Sequence, residues 1–367
     1  MTHTLNLFDI EQNALQVLTS NAREYYLGGA ADEITLRANI CAFQHIFLRP
    51  RILADVAERS LQTSVLEQAW TMPIGIAPTA MQKLAHPEGE HATLKAAQNL
   101  GVPMICSTTA TVAIEDLLQA RKGANAWFQV YVYKDREVTR ELVQRARDAG
   151  CRAIVLTADT PYLGKRERET RSGFHLPPTM ELPNYRGLGT AAKNVRKSKE
   201  TSGLAEHFAK NIDPALGWTD IEWLAAQTAL PLVVKGVLRA DDAILAWKHG
   251  AKGVIVSNHG GRQLDTAIPS IHALPAIAEA IGEVVDVMLD GGIRRGTDVL
   301  KALALGAKAV FLGRPVLYGL AWQGEQGVER VLAILREELD LAMALCGIKS
   351  VHEIHRDILS LPHQHWH

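Results

Sequence analysis

The sequence predicts an α/β fold: a (β/α)8 TIM barrel with an N-terminal helical segment and a long loop after strand four. Eight short runs rich in Val, Ile and Leu recur from residue 73 onward, with amphipathic stretches between them. Most run starts are separated by about 22 to 33 residues, the length of one βα unit. A doubly wound open sheet is the rival, but it usually carries a Gly-rich first βα turn, and no G-x-G-x-x-G occurs in the chain.

In chain order, residues 1–72 read as helices and connections preceding the barrel, with Tyr25 and Tyr26 near the end of a helix before Gly28 and Gly29. The strand runs follow: PIGIAP from Pro73, PMICST from Pro103, AWFQVYV from Ala126, AIVLTAD from Ala153, PLVVKGV from Pro231, GVIVSN from Gly253, DVMLDGG from Asp286 and AVFLGRP from Ala309. Between them, REVTRELVQRARDAG (136–150) and RGTDVLKALALGA (295–307) place apolar residues three and four apart with a glycine near the end, the mark of amphipathic helices. One interval is anomalous. From Ala153 to Pro231 the chain spends far more than one unit, including TPYLGKRERETRSGFHLPPTM and the polar run KNVRKSKETSG (193–203), and 160–218 reads as a mobile active-site lid. The last helical pattern, GEQGVERVLAILREELDLAMALCG, opens a C-terminal helical segment, 324–367, expected to pack outside the barrel. The whole chain, 1–367, reads as one domain.

Composition bounds the function. The chain has 367 residues, 47% of them hydrophobic, and a formal net charge of −1, so it can bury a large core and has no bulk attraction to nucleic acid. Cys41, Cys106, Cys151 and Cys346 include no C-x-x-C pair, which argues for a reducing compartment and against a zinc site; no metal is expected. The N-terminal stretch lacks a basic and apolar signal, and no uncharged stretch is long enough to span a bilayer, so the expectation is a cytoplasmic protein with no membrane partner. The terminal HQHWH reads as a solvated end.

In a barrel of this kind, side chains at the C-terminal strand ends converge on one mouth. Here they are Thr79, Gln129 with Tyr131, Thr157 with Asp159, Lys235, Ser257 with His259, Asp290, and Gly313 with Arg314, far more polar than core packing needs. Each alone has a plain explanation as a turn residue, a helix cap or a snorkelling lysine. Seven of eight strands ending this way favour a functional mouth. LDGGIRRG, with Gly292 and Arg294, follows strand seven, and LGRP follows strand eight. Glycine permits close backbone approach and arginine gives a forked cation, so this corner favours a phosphorylated ligand.

SNHGGRQLD, LDGGIRRGTDVLKALALGA, IAPTAMQKLAHPEGE, FQVYVYKDRE and LPLVVKGV together resemble the FMN-dependent (S)-2-hydroxy acid oxidase and dehydrogenase family, which includes glycolate oxidase and lactate oxidase. The similarity runs from about Tyr25 to about Gly347. It implies FMN across the barrel mouth, with its phosphate at Arg294, Gly313 and Arg314, and further contacts from Thr79, Ser107, Gln129, Thr157, Lys235, Ser257, Asp290 and Gly292. It makes His259 the base, Asp159 its partner, and Lys235 the cation that favours reduced flavin. Arg166 and Arg262 would grip the substrate carboxylate, helped by Tyr25 and Tyr131. The family also implies a homotetramer, with O2 taking the electrons to give H2O2.

Two positions depart from the plant glycolate oxidase pattern: Thr109 stands where those enzymes carry a tryptophan, and Phe208 where a smaller aliphatic is usual, whereas Thr79 keeps the glycolate oxidase residue. Tyr162 replaces the arginine of their TPRLG motif. Opening the space beside C2 favours L-lactate, oxidised to pyruvate, over glycolate. The alternatives are glycolate or a broader range of medium-chain 2-hydroxy acids, a dehydrogenase passing electrons to quinone or cytochrome, a catalytically silent FMN-binding barrel, and a nonredox FMN isomerase. The lid segment is polar with charges of both signs, which favours the oxidase over a membrane dehydrogenase. The joint presence of His259, Arg262, Arg166, Tyr131 and Lys235 speaks against the silent barrel.

Overall fold

A computed structural model of the chain describes residues 4–188, 208 and 210–360. The run 193–203 and the HQHWH tail lie outside the described residues, as does part of the expected lid. All eight expected strand runs form strands: β1 (Ile74–Ile76), β2 (Met104–Cys106), β3 (Ala126–Val130), β4 (Ile154–Thr157), β5 (Leu232–Val237), β6 (Gly253–Val256), β7 (Asp286–Asp290) and β8 (Ala309–Leu312). Each pairs in parallel with the next, and β8 returns to β1, closing a (β/α)8 barrel. Every residue of β1 to β4, β6 and β8 is buried. That explains the near-continuous apolar runs, because a parallel strand covered on both faces has no solvent side to mark with polar residues.

Alternate residues face the lumen. Ile105, Trp127, Val155, Val233, Ile255, Met288 and Phe311 share one buried cluster with Trp70 and Val65. Trp70 comes from a hairpin, Thr63–Val65 paired with Gln68–Trp70, that closes the N-terminal end of the barrel. The rings of Trp70, Trp127 and Phe311 meet at 5.6 to 5.9 Å between centroids and fill the lumen floor. The second, larger core lies between the strands and the surrounding helices.

The N-terminal segment holds helices Leu7–Val17, Ser20–Leu27 and Ile34–Gln44. The first is fixed by a capping box between Asn6 and Asp9. Residues beyond Gln44 depart from the expected helices: Phe47–Leu48 pairs antiparallel with Leu359–Ser360, and the lumen-closing hairpin follows. Short polar stretches flank these pairings, so no long apolar alternation announces them. The final helix, Arg314–Leu345, begins ten residues before the expected start and kinks at Gln323 and Gly324, where Gly324 takes φ +57°. No described helix is long and apolar enough to cross a membrane.

Candidate active site

The same alternation that fills the lumen builds the mouth. Two residues beyond Ile105, Trp127, Val155, Val233, Ile255 and Met288 come Ser107, Gln129, Thr157, Lys235, Ser257 and Asp290, each buried. Thr157 and Lys235 are register partners across β4 and β5. The Lys235 ammonium donates to Ser257 Oγ at 3.0 Å and stands 3.3 Å from Asp290 Oδ2. Burial pushes the lysine pKa down, but Asp290 and Asp159 outweigh that and raise it, so Lys235 stays charged. Ser257 does not line the pocket: its Oγ donates to Asp290 and accepts the His259 amide at 3.0 Å, tying three strand ends together from behind.

His259 enters the pocket from a tight turn. His259, Gly260 and Gly261 take φ of +57°, +63° and +74° in succession, and a Cβ on Gly261 would stand 2.6 Å from the Leu36 backbone nitrogen. The turn is anchored to the N-terminal helices. Asn258 and Asn39 exchange amide hydrogen bonds of 2.7 and 2.8 Å, Asn258 Oδ1 also accepts the Gly261 amide, and the Asp265 carboxylate accepts the amides of Asp32 and Thr35. The His259 Nδ1 lies 2.8 Å from Asp159 Oδ1. Burial raises the Asp159 pKa, but His259 and Lys235 overcome it and hold the carboxyl at about 2. Burial lowers the His259 pKa against the opposing pull of Asp159, with Lys235 adding to the fall, so the resting imidazole is neutral beside an ionised carboxylate. Its Nε2 is the ring nitrogen left for the pocket.

Arg166, Arg262, Tyr25 and Tyr131 meet on one wall. Tyr25 stacks on Phe174 at 4.6 Å and carries the Arg262 guanidinium 4.9 Å above its ring. Arg262 is less free than the sequence suggests: Nη1 donates to the carbonyls of Tyr25 and Gly28, and Nη2 to Glu169 Oε1 at 3.0 Å. Arg166 Nη1 lies 3.5 Å from the same oxygen. Burial and then Asp159 raise the Tyr131 pKa, so its phenol stays protonated. Phe208 meets the Tyr131 ring edge-on at 4.9 Å, and Thr109 Oγ1 lies 2.9 Å from Ser107 Oγ.

At the far corner, Gly291, Gly292, Arg294, Gly313 and Arg314 line the pocket. Arg314 donates to the carbonyls of Tyr26, Gly28 and Gly260. Burial, then the neighbouring Arg262, push its pKa down to about 10, and among the described residues no carboxylate pairs with it. A buried cation cluster of this kind calls for an anion. Five buried side-chain polar atoms lack partners among the described residues, and Gln129 Nε2, Asp159 Oδ2 and Arg294 Nε are three of them. Orphaned donors at two places in one pocket fit a ligand with polar ring atoms at one end and a phosphate at the other.

The structure therefore brings all the expected residues together: Asp159 and Ser257 stand behind the pocket wall and the rest line it. Sequence reading missed Asn39, which lies on a helix with no motif, and Glu169, which looks like one more charge in the solvated run ERETRS.

A closed barrel with a buried cation corner, a Lys–Asp pair and a His–Asp pair at its C-terminal mouth defines a cofactor-dependent barrel enzyme. Residues 14–361 match the FMN-dependent dehydrogenase family, and the chain belongs to it. It is 51% identical to 2-Hydroxyacid oxidase 1 of Homo sapiens over 351 residues, 96% of this chain and 95% of that one. It is 49% identical to L-lactate oxidase of a Nostoc species over 360 residues, 97% of this chain and 98% of that one. The crystal structure of mandelate oxidase with (S)-4-hydroxymandelic acid superposes with a TM-score of 0.91 at 42% identity, covering 97% of this chain and 98% of that one. The protein is thus an FMN-dependent enzyme of the 2-hydroxy acid oxidase family, and its orphaned donors and cation corner suit FMN.

Proposed function

We propose that the protein oxidises (S)-2-hydroxy acids with short to medium aliphatic side chains to 2-oxo acids, with O2 reduced to H2O2. The observation that carries this reading is the His259–Asp159 pair at 2.8 Å, with His259 lining the same pocket as Arg166 and Arg262. Arg166 and Arg262 hold the substrate carboxylate by charge-assisted bonds, and the Tyr25 and Tyr131 phenols supply further donors. Neutral His259 accepts a substrate proton at Nε2, and Asp159 stabilises the imidazolium that forms. Gln129, Lys235 and Asp290 would hold the flavin ring system, and Gly292, Arg294, Gly313 and Arg314 its phosphate. When bound, FMN would supply the two-electron acceptor, with O2 as the terminal oxidant.

The expected preference for L-lactate broadens here to a range of side chains. The relatives named for lactate and for 2-hydroxy acids in general stand at nearly equal identity, 49% and 51%. Thr109 supports a pocket wider than glycolate needs, and Phe208, packed on Tyr131, bounds it. Within a single domain, the described residues 160–188 act as part of a cover over the mouth, which is supported by Arg166 and Phe208 lining the pocket. The test is anaerobic reduction of the yellow holoenzyme by glycolate, L-lactate, 2-hydroxybutyrate and mandelate, followed by rapid mixing with O2. Bleaching by the aliphatic acids, with fast reoxidation and stoichiometric peroxide, supports the proposal. No bleaching by any of them removes it, and reoxidation over minutes removes the oxidase part.

A further inference from the structure

Glu169 sits in a six-residue helix, Glu167–Ser172, within the long segment after β4. A helix this short has little stability of its own, so tertiary contacts place it. Its carboxylate is almost fully enclosed and does not line the pocket, whereas both of its arginine partners do. A single oxygen, Oε1, accepts from Arg262 Nη2 at 3.0 Å and stands 3.5 Å from Arg166 Nη1. Arg166 Nε also reaches the Arg262 carbonyl at 3.4 Å. The buried Arg166 and the largely enclosed Arg262 repel each other at this distance, and among the described residues Glu169 is the acid paired with either. Burial and then Arg262 lower the Arg166 pKa, and Glu169 opposes both.

We propose that Glu169 is a positioning residue for carboxylate binding, its Oε1 holding Arg166 and Arg262 side by side from behind the pocket wall so that both present their remaining N–H donors to one substrate carboxylate. The inference rests on the 2-hydroxy acid reading above. Arg262 Nη1 is committed to the carbonyls of Tyr25 and Gly28, so the end of an N-terminal helix, the segment after β4 and the turn after β6 converge on this guanidinium. Glu169 supplies the negative charge at that junction. Because Glu169 does not line the pocket, it takes none of the space a substrate carboxylate would fill.

The test compares the parent holoenzyme with Glu169→Ala, Glu169→Gln and Glu169→Asp. Oxalate, a two-carbon carboxylate with no C–H bond to oxidise, is titrated against the flavin absorbance, and KM and kcat are measured with whichever 2-hydroxy acid reduces the parent best. Glu169→Ala should weaken oxalate and raise KM by about tenfold or more, the loss of a charge-assisted bond, with kcat within about threefold. Glu169→Asp, which keeps the charge, should recover part of both, and flavin content should stay at the parent level. If Glu169→Ala does not fold, Glu169→Gln carries the test, with the same direction expected. Oxalate affinity and KM unchanged or improved in the folded variants, or a loss confined to kcat, overturns the role of Glu169. A parent that neither binds oxalate nor is reduced by any 2-hydroxy acid instead overturns the substrate reading.

Discussion

The Nδ1 of His259 and the Oδ1 of Asp159 lie 2.8 Å apart, from strands β6 and β4 that are not neighbours in the barrel. Because Asp159 is held ionised and burial keeps the imidazole neutral, His259 is ready to take a proton at neutral pH. His259→Gln should lower kcat by about 10²- to 10⁴-fold and leave flavin content intact. The required form is the neutral imidazole, so kcat/KM should rise with pH through a value lower than that of an ordinary histidine and then stay flat. Asp159 raises the His259 pKa, so Asp159→Asn should move that acid limb to still lower pH while reducing kcat. Profiles from about pH 4 to pH 8 read both effects; a limb that moves upward would contradict the assigned electrostatics.

Gly236 sits at a bulge where the β5–β6 register shifts between Lys235 and Val237, with φ +108°. A Cβ there would lie 2.6 Å from Asp159 Cβ and 2.8 Å from its Cγ. Gly236→Ala should therefore push Asp159 off His259 and lower kcat, along with a stability loss of about 1–3 kcal/mol. Gly250→Ala is the control: it has nearly the same φ, +103°, but only Ala225 Cβ nearby, at 3.7 Å. Thermal melts should fall in both variants, and turnover only in the first. Equal turnover in the two would separate the bulge from the His–Asp geometry.

These sites differ in how far the chain announces them. The eight strands are legible because each is buried on both faces and writes an apolar run, and His259, Lys235 and Asp290 are legible because each stands near the end of such a run as a titratable side chain. Asn39 is not, since one buried amide in a helix carries no periodic mark and its partner Asn258 lies 219 residues away. Glu169 is hidden among the charges of ERETRS, where only the fold shows that it is enclosed. The pairing of Phe47–Leu48 with Leu359–Ser360 is too short to leave a pattern.

Arg294 and Arg314 should separate flavin binding from structure. Among the described residues Arg294 Nε is buried without a partner, so Arg294→Met removes a donor free for an anion and should weaken FMN by about tenfold or more. Arg314 also holds the carbonyls of Tyr26, Gly28 and Gly260, so Arg314→Met should lose both flavin affinity and thermal stability. Flavin fluorescence released on dilution measures the first quantity and thermal melts the second. Unchanged flavin retention in Arg294→Met would place the phosphate elsewhere.

Thr109 is 3% exposed and lines the pocket beside Ser107, with Phe208 packed on Tyr131 also in the lining. Its hydroxyl engages Ser107 Oγ at 2.9 Å, so the two properties of the residue, size and polarity, can be tested apart. Thr109→Trp adds an indole to the pocket lining, where the proposed function puts the C2 substituent, and discrimination per methylene in such a pocket is about 1–3 kcal/mol. The kcat/KM should then fall most for 2-hydroxybutyrate, less for L-lactate and least for glycolate, shifting preference toward glycolate. Thr109→Val keeps the shape and removes the hydroxyl, so it should leave the order of substrates unchanged. If Thr109→Trp lowers all three acids by the same factor, position 109 acts through Ser107 and Gln129, which are hydrogen-bonded to each other, rather than through the substrate side chain.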